Sequence, residues 1–170
     1  NTWLSLQCGT SGCPPIKRYC KTTDGGLTWT TAEIVAGTNS ANLSLAHIVG
    51  VNATTAFATI FPASAGAAGM GVYKTTDSGT TWTRQATALY NNASSFPDVT
   101  YFWDANNGVT IGDPAGGYFE IYTTIDGGTT WVRTSSSNIP VPLTDEFAYT
   151  NKFNVTGNII WVGTNKGRIY

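Results

Sequence analysis

Four carboxyl side chains stand where a folded domain could use them for chemistry: Asp98, Asp113, Asp145 and Glu146, with Tyr90, Phe96 and Lys166 nearby in the sequence. Hydrolysis of a glycosidic bond needs two such groups about 5–10 Å apart. Asp98, Asp113 and Asp145–Glu146 meet that need only if separate segments of the chain converge. The competing use is turn formation, for which Pro97-Asp98 and Asp113-Pro114 are ordinary sequences. His47 is the sole histidine. In Leu45-Ala46-His47-Ile48-Val49 it alternates with apolar neighbours and reads as a structural side chain, since a nucleophile pair needs a partner beside it. No residue is assigned a catalytic role.

Cys8, Cys13 and Cys20 are the three cysteines. Their spacing lacks the paired CxxC and the histidines of a zinc site, so no metal is expected. A Cys8–Cys13 disulfide stapling one loop is the expected use. The Asn-x-Ser/Thr sequons at Asn42, Asn52, Asn92 and Asn154 are close to the number this composition yields by chance and indicate little about glycosylation. No helical pattern occurs, so no glycine-rich loop opens a helix as a phosphate cradle, and no cofactor is expected.

The elements that would position these groups are set by a sequence the chain repeats. Thr22-Thr23-Asp24-Gly25-Gly26-Leu27-Thr28-Trp29 returns as Thr75-Thr76-Asp77-Ser78-Gly79-Thr80-Thr81-Trp82, and again as Thr124-Ile125-Asp126-Gly127-Gly128-Thr129-Thr130-Trp131. The spacings, 53 and 49 residues between aspartates, point to a propeller or solenoid. Within each copy the Asp is expected to close a tight turn onto backbone N–H groups one and two residues on. Gly26, Gly79 and Gly128 supply the positive φ. Trp29, Trp82 and Trp131 leave the turn with a large ring to bury.

Thr-x-Asp-x-Gly-x-Thr-Trp resembles the Asp-box, or BNR repeat, of sialidases, Asp-box xyloglucanases, sortilin-type receptors and photosystem II assembly-factor-like propellers. Within that group, Asn107–Pro114 and Trp161–Arg168 resemble exported bacterial propellers. The resemblance implies an all-β fold whose boxes join the third and fourth strands of each blade, on the face away from the usual ligand site. It brings no catalytic residue with it. Sialidases also carry three arginines on inner strands and a Phe/Tyr-Arg-Ile-Pro motif. Arg18, Arg84, Arg133 and Arg168 lie elsewhere, and that motif is lacking.

The expected layout is a β-propeller segment of about three and a half four-stranded antiparallel blades, one domain over residues 1–170. Its parts are a partial blade at 1–35, blades at 45–89 and 98–137, and a partial blade at 147–170. Strand order puts the boxes on one face. The opposite face collects the candidate ligand residues Tyr90, Asp98, Asp113, Asp145, Glu146 and Lys166. Tyr170 stands where Tyr73 and Tyr122 precede their boxes, so the chain reads as a window on a longer propeller or as one completed by another copy. Asn1, in place of Met, reads as a processed or excised start.

A net charge of −1 gives no electrostatic case for nucleic acid or anionic membrane. No stretch is long and apolar enough for a spanning helix. Charged residues make up 11%, and the polarity comes from Thr, Ser, Asn and Gly, as in exported proteins. The expected function is that of a non-catalytic secreted or cell-surface scaffold binding protein or glycan, with self-association or further blades completing it. The alternative is a xyloglucanase- or sialidase-like hydrolase with its site partly outside this segment.

Overall fold

The computed structural model describes residues 2–6, 17–35, 42–62, 69–88 and 90–170. Cys8 and Cys13 lie outside them, as do most of the loops expected at 8–15, 36–44 and 62–69. Cys20 is a half-buried free thiol. Among the described residues the chain is all-β, with a 3-10 turn at Ser136–Asn138, and no helix is long and apolar enough to cross a membrane.

Four antiparallel sheets follow one another along the chain. The first is β1 (Thr2–Ser5), β2 (Arg18–Thr22) and β3 (Thr30–Glu33). The second is β4 (Leu43–Gly50), β5 (Ala56–Pro62), β6 (Gly71–Thr75) and β7 (Thr83–Arg84). The third is β8 (Pro97–Phe102), β9 (Gly108–Pro114), β10 (Phe119–Thr124) and β11 (Val132–Arg133). The last pairs β12 (Ala148–Thr156) with β13 (Ile159–Thr164), and a single bridge joins Gly163 to Ile169. Strands are ordered in space as in sequence within every sheet. The innermost strands β4, β8 and β12 pack on one another. There His47 Nδ1 lies 2.9 Å from the Thr100 carbonyl, and its ring meets Phe153 edge-on. This half-buried imidazole is partnered on both counts.

The outer strands are shorter than the sequence suggests. Of the described residues, 82–88 contribute only β7, and 131–134 only β11. An outermost strand pairs on one side, and here the chain leaves after two residues to cross to the next sheet. Arg84 marks the departure by donating from Nε to the Met70 carbonyl at 2.7 Å.

Each box closes by the same bonds, though not those expected. Asp24 Oδ1 accepts from Thr28 N–H, four residues on, at 3.0 Å, and Oδ2 accepts from the Thr28 hydroxyl. Asp77 and Asp126 accept the same N–H from Thr81 and Thr130 at 2.9 Å. The short reach falls instead to the preceding threonine. The Thr22, Thr75 and Thr124 hydroxyls each accept the N–H of the box glycine at 2.9–3.0 Å and donate to the Asp. Two successive residues are left-handed in every box, Gly25-Gly26, Ser78-Gly79 and Gly127-Gly128. These bonds hold the carboxylates below their ordinary range, Asp77 at about 2, chiefly through the hydroxyls of Thr28 and Thr81 and the backbone of Thr130.

Two apolar clusters form the core. The larger, with Trp3, Tyr19, Phe57, Phe102 and Trp131, fills the spaces from the first sheet to the third. The smaller, with Val109, Ile111, Phe119 and Val162, lies between the third sheet and the last. Trp82 and Trp131 turn toward the preceding sheet and pack there. Trp29 has no preceding sheet among the described residues, so its ring remains 44% exposed, contrary to the burial expected of it.

Candidate functional site

The third sheet is where the carboxyls meet. Its ladder slips twice by one residue: between Pro97 and Val99 on β8, and opposite the Phe119–Glu120 step on β9. The two extra residues are Asp98 and Asp113. A bulge leaves one residue out of the ladder and re-aims its side chain, and here two bulges at the same end of adjacent strands turn two carboxyls onto each other.

Asp98 is enclosed and Asp113 is half-buried. Asp98 is 1% exposed, and among the described residues no N–H or hydroxyl donates to its Oδ2. Its carboxyl stands beside that of Asp113, close enough for the two to share a proton. Burial, and then the neighbouring Asp113 charge, push Asp98 well above the usual carboxylate range. Burial raises Asp113 to about 6, against the lowering effect of the Ala148 N–H, which donates to Oδ1 at 2.8 Å. The backbone around the pair is fixed. Asp113 N–H donates to the Phe96 carbonyl at 2.9 Å, and the Thr59 hydroxyl of the second sheet donates to the Asp98 carbonyl at 3.0 Å.

Above the pair opens a cleft of about 370 Å³, lined by Phe96, Asp98, Asp113, Phe147, Ala148, Tyr149 and Thr150. Phe147 and Tyr149 are both exposed and meet edge-on, with ring centroids 5.5 Å apart. Asn165 holds this rim in place: its Oδ1 accepts from Phe147 N–H at 2.9 Å, and its N–H donates to the Phe147 carbonyl at 3.1 Å.

The other expected ligand residues go elsewhere. Tyr90 is fully buried between the sheets. Its hydroxyl bonds Thr110 Oγ1 at 3.0 Å, and its ring lies where a Cβ on Gly112 would stand. It is therefore a core residue and no part of an open face. Glu146 turns inward and is used up, accepting from Leu143 N–H and the Thr164 hydroxyl at 2.7 Å, the Tyr170 hydroxyl at 3.0 Å and Arg168 at 3.1 Å. Asp145 and Lys166 are exposed beside the rim without lining the cleft. The rim rings Phe147 and Tyr149 were not singled out in the sequence. The alternation of aromatic rings with small residues in Phe147-Ala148-Tyr149-Thr150, at the start of a strand, was the available signal. Among the described residues, no three His, Cys, Asp or Glu side chains converge as a metal site requires.

The second sheet has the same first bulge, between Leu45 and His47, and fills it with Ala46. In register Phe61 stands where Asp113 does, and it packs on Phe96 with centroids 4.8 Å apart. The fold therefore accepts apolar residues at both places, and carboxyls there answer no need of the backbone.

No protein-family model and no curated protein matches the chain. Among solved structures, one described as "YCF48 bound to D1 peptide" is similar in fold, with a TM-score of 0.50 at 15% sequence identity, over 99% of this chain and 67% of that one. Four consecutive antiparallel sheets with packed inner strands, shared over that length, make this chain a β-propeller segment.

Proposed function

We propose that the chain is a non-catalytic binding scaffold whose cleft over Asp98 and Asp113 takes an extended peptide carrying a basic side chain. The observation that carries this reading is the contact between the two carboxyls, buried under an aromatic rim. Groups that share a proton stand too close to flank a glycosidic bond, which needs about 5–10 Å between them. Among the described residues, no histidine, cysteine or serine lines the cleft to act as a nucleophile or base. A cation entering it displaces the shared proton and is held by the pair, while Phe147 and Tyr149 cover the aliphatic part of its side chain. A peptide named as ligand in the description of the similar fold agrees with a polypeptide occupant.

Exposed aromatic rings also stack on sugars, and Phe147 with Tyr149 favours a glycan as the second occupant to test. The low charge and Thr/Ser/Asn-rich surface support export to the cell surface or beyond. Titration of fluorescent peptides should show basic sequences binding and acidic ones failing. Affinity should fall roughly tenfold from pH 8 to pH 5 as protons compete for the pair. Asp113→Asn should abolish that pH dependence. Binding indifferent to both pH and Asp113→Asn overturns the reading, and turnover of aryl-glycosides lost in the same variant replaces it with the hydrolase.

A further inference from the structure

At the cleft end, the junction between neighbouring sheets occurs twice, and the two occurrences differ by one ring. Between the second and third sheets, Phe61 packs on Phe96 with centroids 4.8 Å apart. Between the third and the last, the same two places belong to Asp113 and Phe147. The Asp113 N–H donates to the Phe96 carbonyl just as the Asn165 N–H donates to the Phe147 carbonyl. The space that the Phe61 ring fills in one junction is the cleft of about 370 Å³ in the other, walled by two sheets of this chain. Its opening is thus made by a side-chain exchange inside the fold.

The wall on β12 is also particular to this junction. Ala148 pairs with Thr164 and Phe153 with Val162, so residues 149–152 stand opposite Gly163 alone. The innermost strands β4 and β8 carry a single extra residue at that point. The larger bulge brings Tyr149 and Thr150 to the cleft. At the floor, Ala148 stands where Pro97 does on β8. Proline has no N–H to give, whereas Ala148 gives its own to Asp113 Oδ1 at 2.8 Å. That leaves Asp113 Oδ2, beside Asp98 Oδ2, to which no donor among the described residues is bonded. The acceptors on offer are one oxygen from each of two carboxyls, not both oxygens of one.

We propose that the cleft selects lysine over arginine, binding the primary ammonium between one oxygen of Asp98 and one of Asp113. This rests on the peptide-cleft reading and adds to it the identity of the basic group. An ammonium is a compact charge with three diverging N–H donors, so it can bond two separate carboxyls at once. A guanidinium makes its strongest bonds in parallel to both oxygens of one carboxylate. Here Ala148 already occupies one oxygen of Asp113, and Asp98, 1% exposed, does not present both of its own. Stripping water from an ammonium costs more than from a guanidinium. Two carboxyl acceptors, with the Thr150 hydroxyl on the same wall, offset that cost. The four methylenes pass between Phe147 and Tyr149, where a long side chain can lay its stem on apolar surface. A peptide's α-amino terminus has the same ammonium but no such stem.

Fluorescence anisotropy at pH 8 tests this with N-acetylated peptides of one sequence, differing only in a central lysine, arginine, trimethyllysine or norleucine. The lysine peptide should bind tightest. Arginine and trimethyllysine keep the charge but lose a charged hydrogen bond, and should bind about tenfold or more weakly. Norleucine keeps the stem without the charge and should not bind. Freeing the α-amine of the norleucine peptide should change nothing. If it restores binding to the level of lysine, the ammonium comes from the terminus and the lysine assignment fails. Asp98→Asn should narrow the preference for lysine, whereas Phe147→Ala should weaken lysine and arginine peptides alike and leave their ratio unchanged. Arginine bound as tightly as lysine, or an unchanged preference in Asp98→Asn, overturns the proposal and leaves the cleft standing. Failure of every peptide to bind overturns both.

Discussion

The second and third sheets use the same strand order and the same bulge on the innermost strand, yet they put opposite chemistry in it. Ala46 and Phe61 make the second sheet's end a piece of ordinary core. Asp98 and Asp113 make the third sheet's end an acid pair close enough to share a proton. The same comparison holds at the other end of the strands. Phe57 on the second sheet supports the third box, whereas Val109, its counterpart on the third, borders a groove of about 260 Å³ with Ile139, Ile160 and Val162. The second sheet fills its bulged end with apolar side chains, and the third places acid there.

The largest expected effect tests that contrast at the box end. Phe57→Ala removes a fully buried ring stacked 3.9 Å from Phe102, and should cost about 3–5 kcal/mol in chemical denaturation. Val109→Ala, beside an existing groove, should cost only about 1–2 kcal/mol. Equal losses would show that the two positions are not different in kind.

Next is the transplant of acid into the second sheet. Ala46→Asp places a buried carboxyl opposite Phe61, where no second carboxyl shares its proton, and should destabilise by about 3 kcal/mol at pH 7. A tolerated Ala46→Asp would mean that the bulge accepts charge anywhere and that the third sheet is not special.

The smallest effect concerns the pair itself. Burial, the first cause, raises both aspartates, so the folded state binds protons more tightly than the unfolded chain. The stability this linkage gives is complete below the unfolded value, about 3.9, and is lost as pH rises through about 6 at Asp113. The protein should therefore unfold more readily at pH 8 than at pH 5. Asp98→Asn supplies a neutral donor to Asp113 and should recover on the order of 2 kcal/mol at pH 8 while flattening the profile. Guanidinium unfolding curves at several pH values measure it, and an unchanged slope in the variant would remove the shared proton from the account.

Much of the architecture was legible because it is local. The Thr-x-Asp-x-Gly-x-Thr-Trp turns are closed by side chains within four residues of one another, and their period marks out the sheets. What stayed hidden depends on register. Nothing in Pro97-Asp98-Val99 or Gly112-Asp113-Pro114 announces a bulge, so both aspartates read as candidate ligand residues or as turn residues, and not as the two extra members of their strands. Tyr90 was placed on an open face because its burial follows from Gly112, which lies 22 positions further on and leaves room for a ring. Trp29 and Trp131 sit in almost identical octapeptides. Their different exposure follows from whether a sheet among the described residues precedes them, which no single repeat contains.

The box aspartates stay ionised far into acid, while burial raises Asp98 and Asp113 at the opposite ends of strands about 20 Å long. Lys21 and Lys74 bond the Ser78 and Gly127 carbonyls of the boxes, so the carboxylates of that rim stand among fixed cations. Mild acid therefore changes the charge at the cleft end of the strands and leaves the hairpin end as it was.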